Sequence, residues 1–291
     1  MLAFISRRLL FLVIIWLAVP LPVSAQQRQP STCLAIAKAP TIEQLLVHAA
    51  WPADGFNFAQ ANSPDVTIRY ITHSTFRIES PGGIVIATDF ADRAGSGPVP
   101  DIVTMNHAHG THFTMMPPAE IAHVLRGWGT DGNPASHYLE LGDTLTRNVT
   151  TDIYRGGVLV EANGNSVFVF EIAGLCIGHV GHLHHTLTPE HYAAIGRLDV
   201  LMLPVDGYMT MSIEGMSNLA RNFRSSVILP MHWFSGYSLQ RFIDNVSATF
   251  AVDNRRESAM KLSLASLPGS PTVVVLQPEL GNGNRFGIDN N

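Results

Sequence analysis

Asn106-His107-Ala108-His109-Gly110-Thr111-His112 places three histidines within six residues. The stretch follows Ile102-Val103-Thr104-Met105, a short apolar run that reads as a buried strand. His107 and His109 are two apart, so an extended backbone projects them to one side, and a turn at Gly110 brings His112 back toward them. Imidazole is neutral near pH 7, carries a lone pair and is the commonest metal ligand. Burying three such groups unpaired is costly, and a metal removes that cost.

A second cluster and a third, single point share this placement. His179-Val180-Gly181-His182-Leu183-His184-His185 follows a predicted strand over 175–179, and His232 follows a buried strand over 227–230. If these strand ends share one edge, His107, His109, His112, His179, His182 and His232 gather in one place. Each has a plainer reading alone: His232 as a hydrogen-bonded core residue, His184 and His185 as a loop residue and a helix cap. Histidines at three strand ends favour a metal site over an adventitious surface patch.

Outward from the histidines, residues 66–71 and 75–79 alternate apolar and polar, and 83–88 is a β-branched run after the turn Pro81-Gly82. Residues 117–125 read as a helix with proline in its first turn. Strands are expected over 137–139, 144–147, 149–154 and 166–172, and Asn163-Gly164-Asn165 reads as a hairpin turn. After 179 the pattern alternates: helix 189–195 capped by Thr188, strand 199–204, helix 212–223, strand 227–230, helix 238–247 and strand 272–276. The fold class is therefore α+β, with sheets packed together and covered by helices.

Hydrophobic residues make up 46% of the 291 and charged residues 14%, a balance that excludes a disordered chain. Thirteen histidines stand against two lysines, and without a basic cluster nucleic acid is not an expected partner. Residues 1–25 have the pattern of a secretory signal: Arg7 and Arg8, an uncharged apolar run over 9–19, and Val23-Ser24-Ala25 as a cleavage site. The run is too short to span a bilayer, so a periplasmic or secreted protein without stable membrane insertion is expected. Losing both arginines takes the formal charge from −5 to near −7. Residues 26–64 form an extension with one helix over 41–50, residues 65–280 the main domain, and 281–291 a tail. Cys33 and Cys176 either pair, tying the extension to the core, or remain a surface residue and a buried thiol.

The ordered matches resemble the metallo-β-lactamase superfamily, whose loop motif is His-x-His-x-Asp-His, and within it the ascorbate-6-phosphate-lactonase-like members. The likeness runs over about 66–235 and includes His73-Ser74-Thr75-Phe76, Ala87-Thr88-Asp89, His179-Val180-Gly181 and Leu229-Pro230-Met231-His232. It implies a four-layer αβ/βα sandwich, a first metal on His107, His109 and His179, and a second on His112 and His232. The chain departs from the pattern twice: Thr111 replaces the motif's aspartate, and His182 the aspartate that usually bridges the metals. Carboxylates are hard anionic donors, so the remaining cage is nearly all neutral imidazole.

The leading expectation is an exported hydrolase of an ester, lactone, amide or phosphoester bond, acting on a small molecule through metal-activated water, with one or two zinc ions. Asp206 is the expected base or ligand unless it is simply the turn residue before Gly207, and Tyr208 a possible oxyanion donor or substrate contact. The alternative is a non-catalytic periplasmic metal- or ligand-binding protein on the same fold, favoured by Thr111 and His182. Oligomeric state is not set by the sequence.

Overall fold

The computed structural model describes residues 31–34, 63–130, 133–234 and 236–280. The expected signal, the helix over 41–50 and the tail lie outside the described residues. No helix among the described residues is long and apolar enough to cross a membrane.

Two sheets face each other. The first holds β1 (Val66–Thr72), β2 (Thr75–Glu79), β3 (Val85–Ala87), β4 (Ile102–Met105), β5 (His123–Arg126) and β13 (Ala259–Leu262), in the order β13-β1-β2-β3-β4-β5. The second holds β6 (Tyr138–Leu141), β7 (Thr144–Arg155), β8 (Val158–Ile172), β9 (Leu175–His179), β10 (Val200–Pro204), β11 (Val227–Met231), β12 (Ala251–Asn254) and β14 (Thr272–Val275), in the order β12-β14-β11-β10-β9-β8-β7-β6. Ile68, Ile78 and Ile86 from the first sheet and Val169, Ile177 and Leu201 from the second belong to one buried core. β9, β10 and β11 are buried along their whole length and pair in parallel, as their near-continuous apolar sequences require.

Helices α1 (Pro189–Ile195) and α2 (Ile213–Phe223) connect these strands in turn, and α3 (Gly236–Val246) leads from β11 to β12. Thr188 caps α1 as expected, its hydroxyl accepting from the His191 amide, and Ser212 caps α2 through the Gly215 amide at 3.1 Å. α2 buries Ile213, Met216, Leu219 and Ala220, and α3 buries Leu239, Phe242 and Val246, one apolar stripe each.

Two expectations are corrected. Residues 117–125 are not a helix: one turn closes with the Ile121 amide on the Pro118 carbonyl at 3.1 Å, and the chain then enters β5, parallel to β4 with His123 opposite Ile102. The open edge of β4 offers the backbone partners that so short a helix would have to supply alone. Asn163-Gly164-Asn165 is not the hairpin turn either, because it lies inside β8. The turn is Gly156-Gly157, both at positive φ (58° and 81°), as a tight two-residue hairpin demands. The β7/β8 register shifts around Ile153, opposite the 161–165 stretch, and Asn163 takes a left-handed φ of 55° there. β6 pairs with β7 only as far as Arg147 and β9 with β8 only from Phe168, so the far part of the hairpin projects as a two-stranded ribbon.

Cys33 and Cys176 form a disulfide, with Cα atoms 5.9 Å apart. Beside it, Glu171 accepts from the Thr32 amide at 2.8 Å and pairs with Arg147 at 2.9 Å. Arg147 also donates to the last carbonyls of α1, those of Ala194 and Ile195. One buried ion pair thus ties the extension, the second sheet and a helix end together.

Candidate metal centre

All the site residues leave the same edge of the two sheets. His73 sits at the β1–β2 turn, Asp89 follows β3, the loop 107–112 follows β4, His182 follows β9, Asp206 follows β10 and His232 follows β11. His73, Asp89 and His232 adopt left-handed backbone (φ 46°, 49° and 56°), which non-glycine residues hold only when their surroundings over-determine them. The His232 amide donates to the His73 carbonyl at 2.8 Å, joining the two sheets at the site. Gly181 (φ 61°) lets β9 turn here, since a Cβ would lie 2.5 Å from the side chains of Asn106 and Asn165.

His73, His112 and His232 each present one ring nitrogen within 4.8 Å of the others. The His182 ring lies 4.6 Å from that of His112 and 5.8 Å from that of His232. On its other side His182 faces His107 at 5.3 Å and His109 at 5.8 Å. Five of the six expected residues therefore assemble, with His182 at the centre. His73 joins them although its sequence context gives it no ligand role; its only signal is its place in the matched segment His73-Ser74-Thr75-Phe76.

His179 stands apart. It is fully buried, its Nε2 donates to the Ser74 carbonyl at 2.7 Å, and its Nδ1 receives Asn106 Nδ2 and the Gly181 amide, each at 3.2 Å. Both ring nitrogens are engaged, and the ring fixes the loops rather than facing the other imidazoles. His184, expected in a plain loop role, instead lines the cleft beside His182, with ring centroids 4.8 Å apart.

Two carboxylates stand behind the cluster. Asp89, fully buried, accepts a hydrogen bond from His112 Nδ1, and its other oxygen accepts from the Asn106 amide at 3.1 Å. Asp206 Oδ1 lies 3.2 Å from His232 Nδ1 and 2.6 Å from Thr210 Oγ1, while Oδ2 accepts from the amides of Tyr208, Met209 and Thr210. Asp206 is thus both the turn residue and the group that orients His232. With every lone pair in use it is not placed as a base. Burial would raise both carboxyls, but His112 at Asp89 and His232 at Asp206, with their other donors, hold them below the usual carboxylate range. Tyr208 is 78% exposed on the wall of the cleft. Thr111 is exposed, its hydroxyl 3.4 Å from His109 Nδ1.

These residues suit a divalent cation. Burial, then the neighbouring imidazoles, lowers His73 to about 3 and His182 to about 2; burial also lowers His107, His109 and His184. The lone pairs stay unprotonated at neutral pH. His112 Nε2 and His182 Nδ1 are buried without a hydrogen-bond partner, a cost that a cation would remove. An Nδ1 proton held by a carboxylate while Nε2 faces a site is the usual support of a metal-binding histidine. The cleft in front encloses about 630 Å³.

A family described as a beta-lactamase superfamily domain matches residues 67–232. The chain belongs to the metallo-β-lactamase superfamily. Curated relatives include a UPF0173 metal-dependent hydrolase of Methanoculleus marisnigri, 24% identical over 71% of this chain and 96% of its own length. A second, from Methanosphaera stadtmanae, is 24% identical over 69% and 97%. Among solved structures of the superfamily, one from Thermotoga maritima, described as a candidate Zn-dependent hydrolase, aligns with a TM-score of 0.52 and 26% identity, covering 72% of this chain and 98% of that one.

Proposed function

We propose that this protein is an exported hydrolase that cleaves an ester, lactone, amide or phosphoester bond of a small molecule with metal-activated water. The metal-dependent hydrolase reading is supported by the superfamily, by the relatives that carry that name, and by a donor set that fits a cation. The observation that carries it is the buried, unpartnered His112 Nε2, aimed from a ring whose other nitrogen is held by Asp89. His73, His112, His182 and His232 would hold the first ion, and His107 and His109, around His182, a second. Zinc is the default for imidazole donors. Bound there, the ion supplies Lewis acidity to a carbonyl or phosphoryl oxygen and makes a water more acidic.

The chain's own groups supply the remainder. Asp89 and Asp206 fix the tautomers of His112 and His232. The ribbon and the 208–212 loop wall off the cleft, and Tyr208, on that wall, would offer its hydroxyl to a substrate. Periplasmic or secreted placement is supported by the leader-like residues 1–25 and by the disulfide. The lactonase-like branch enters the same proposal as one of the substrate classes.

A second reading, a non-catalytic metal- or ligand-binding protein, is favoured by one observation: among the described residues, no Asp or Glu lines the cleft. Metal analysis of the purified protein, with turnover measured on ester, lactone, amide and phosphoester panels, separates the two. One or two equivalents of zinc, lost in a His112→Ala, His232→Ala variant together with turnover, supports the hydrolase. Bound zinc without turnover on any panel supports the binding protein, and no bound metal after reconstitution overturns both.

A further inference from the structure

Arg155 ends β7 immediately before the Gly156-Gly157 turn, at the tip of the projecting ribbon, and lines the same cleft as His107, His182 and His184. It is the only Arg, Lys, Asp or Glu among the cleft's lining residues, and no carboxylate of the described residues pairs with it. A chain with a formal charge of −5 thus lines this cleft with a guanidinium and no carboxylate, although Glu161 Oε2 stands 3.9 Å from the lining His107. The turn glycines meet nothing within 4 Å of a Cβ position, so the tip stands over open space.

Tyr208 and Met209 also line this cleft, and both are exposed apolar surface. Past the turn, Val158, Leu159 and Val160 are exposed in succession (65%, 48% and 53%). An unpaired guanidinium beside large exposed apolar side chains is a recognition surface for a molecule with both characters. The planar fork of arginine matches carboxylate and phosphate oxygens two at a time.

We propose that Arg155 is a specificity residue and that the substrate is an amphiphilic anion. A carboxylate or phosphate group engages Arg155, an apolar body lies along Tyr208 and Met209, and the scissile bond faces the histidines. That the bound anion is a substrate, and the kinetic arm of the test, rest on the hydrolase reading; the anion site itself does not.

The test compares mono-4-nitrophenyl glutarate, which is anionic, with 4-nitrophenyl pentanoate, its neutral counterpart, on the zinc-loaded full chain. In each case water adds to the acyl carbon, the ester C–O bond breaks, and the acid and 4-nitrophenol are released. In Arg155→Gln the preference for the anionic ester, as the ratio of kcat/KM values, should fall about tenfold, carried by KM, as for the loss of one exposed charge-assisted contact. Arg155→Lys should restore part of it. An unchanged ratio overturns the proposal. The second arm needs no turnover: 5-phenylpentanoate is titrated calorimetrically into metal-free wild type and Arg155→Gln. Binding lost in the variant supports the anion site even if neither ester is cleaved, an outcome that would count against the hydrolase reading alone. Equal affinity, or no binding to either protein, overturns the anion site.

Discussion

At the residue scale, the centre depends on groups that touch no substrate. Asp206→Asn keeps the shape but removes the charge that holds His232. Zinc affinity, followed by competition with a chromogenic chelator, should fall about 10–100-fold, the usual cost of losing such a support. Gly181→Ala forces a Cβ against Asn106 and Asn165 at a positive φ, and urea unfolding should show a loss of about 2–3 kcal/mol. Placement at predicted strand ends points to five of the assembled histidines, and to His179 with them, because a run such as His107-x-His109 crowds lone pairs that a cation can share. His73 is not legible that way. It is a lone histidine in a tight turn, and what brings it to the site is a left-handed backbone and a bond from the far sheet, neither written in neighbouring residues. His179 shows the converse: its position suits a ligand, but Asn106, Ser74 and Gly181 claim both nitrogens.

At the scale of elements, the later part of the chain is the more legible. Helices α1 and α2 announce themselves by their caps, α2 and α3 by one apolar stripe each, and β9 to β11 by unbroken apolar runs. Ser212→Ala should therefore lower stability by about 1 kcal/mol in thermal or urea unfolding, the cost of an ordinary N-cap, without altering zinc binding. Legibility fails where long-range pairing decides. Residues 123–126 become strand because β4 has an open edge, a fact held by residues 102–105 and not by their own pattern. The ribbon is hidden for a related reason: Asn163-Gly164-Asn165 carries turn chemistry, but a bulge uses the same residues, and only the pairing of β7 with β8 separates the two.

At the scale of the whole molecule, the N-terminal strap is held covalently and electrostatically. Burial would raise the Glu171 carboxyl, but Ser31, Arg147 and the Thr32 amide together lower it. A depressed folded value means that its contribution is complete above the unfolded carboxylate range and fades as pH falls below about 4.5 toward the lower folded value. Urea unfolding across that window should show stability falling with pH, with a shallower slope in Glu171→Gln. Reducing the disulfide, which closes a span of 143 residues, should cost about 3–5 kcal/mol. The imidazoles also divide between the sheets: His73 and the 107–112 loop belong to the first, His182 and His232 to the second. A cation shared between them would therefore act as a rivet between the sheets at this edge. Any shear of one sheet past the other would then have to stretch coordinate bonds as well as slide side chains, so that the same ion that would activate water would also set how much mechanical load the two halves bear together.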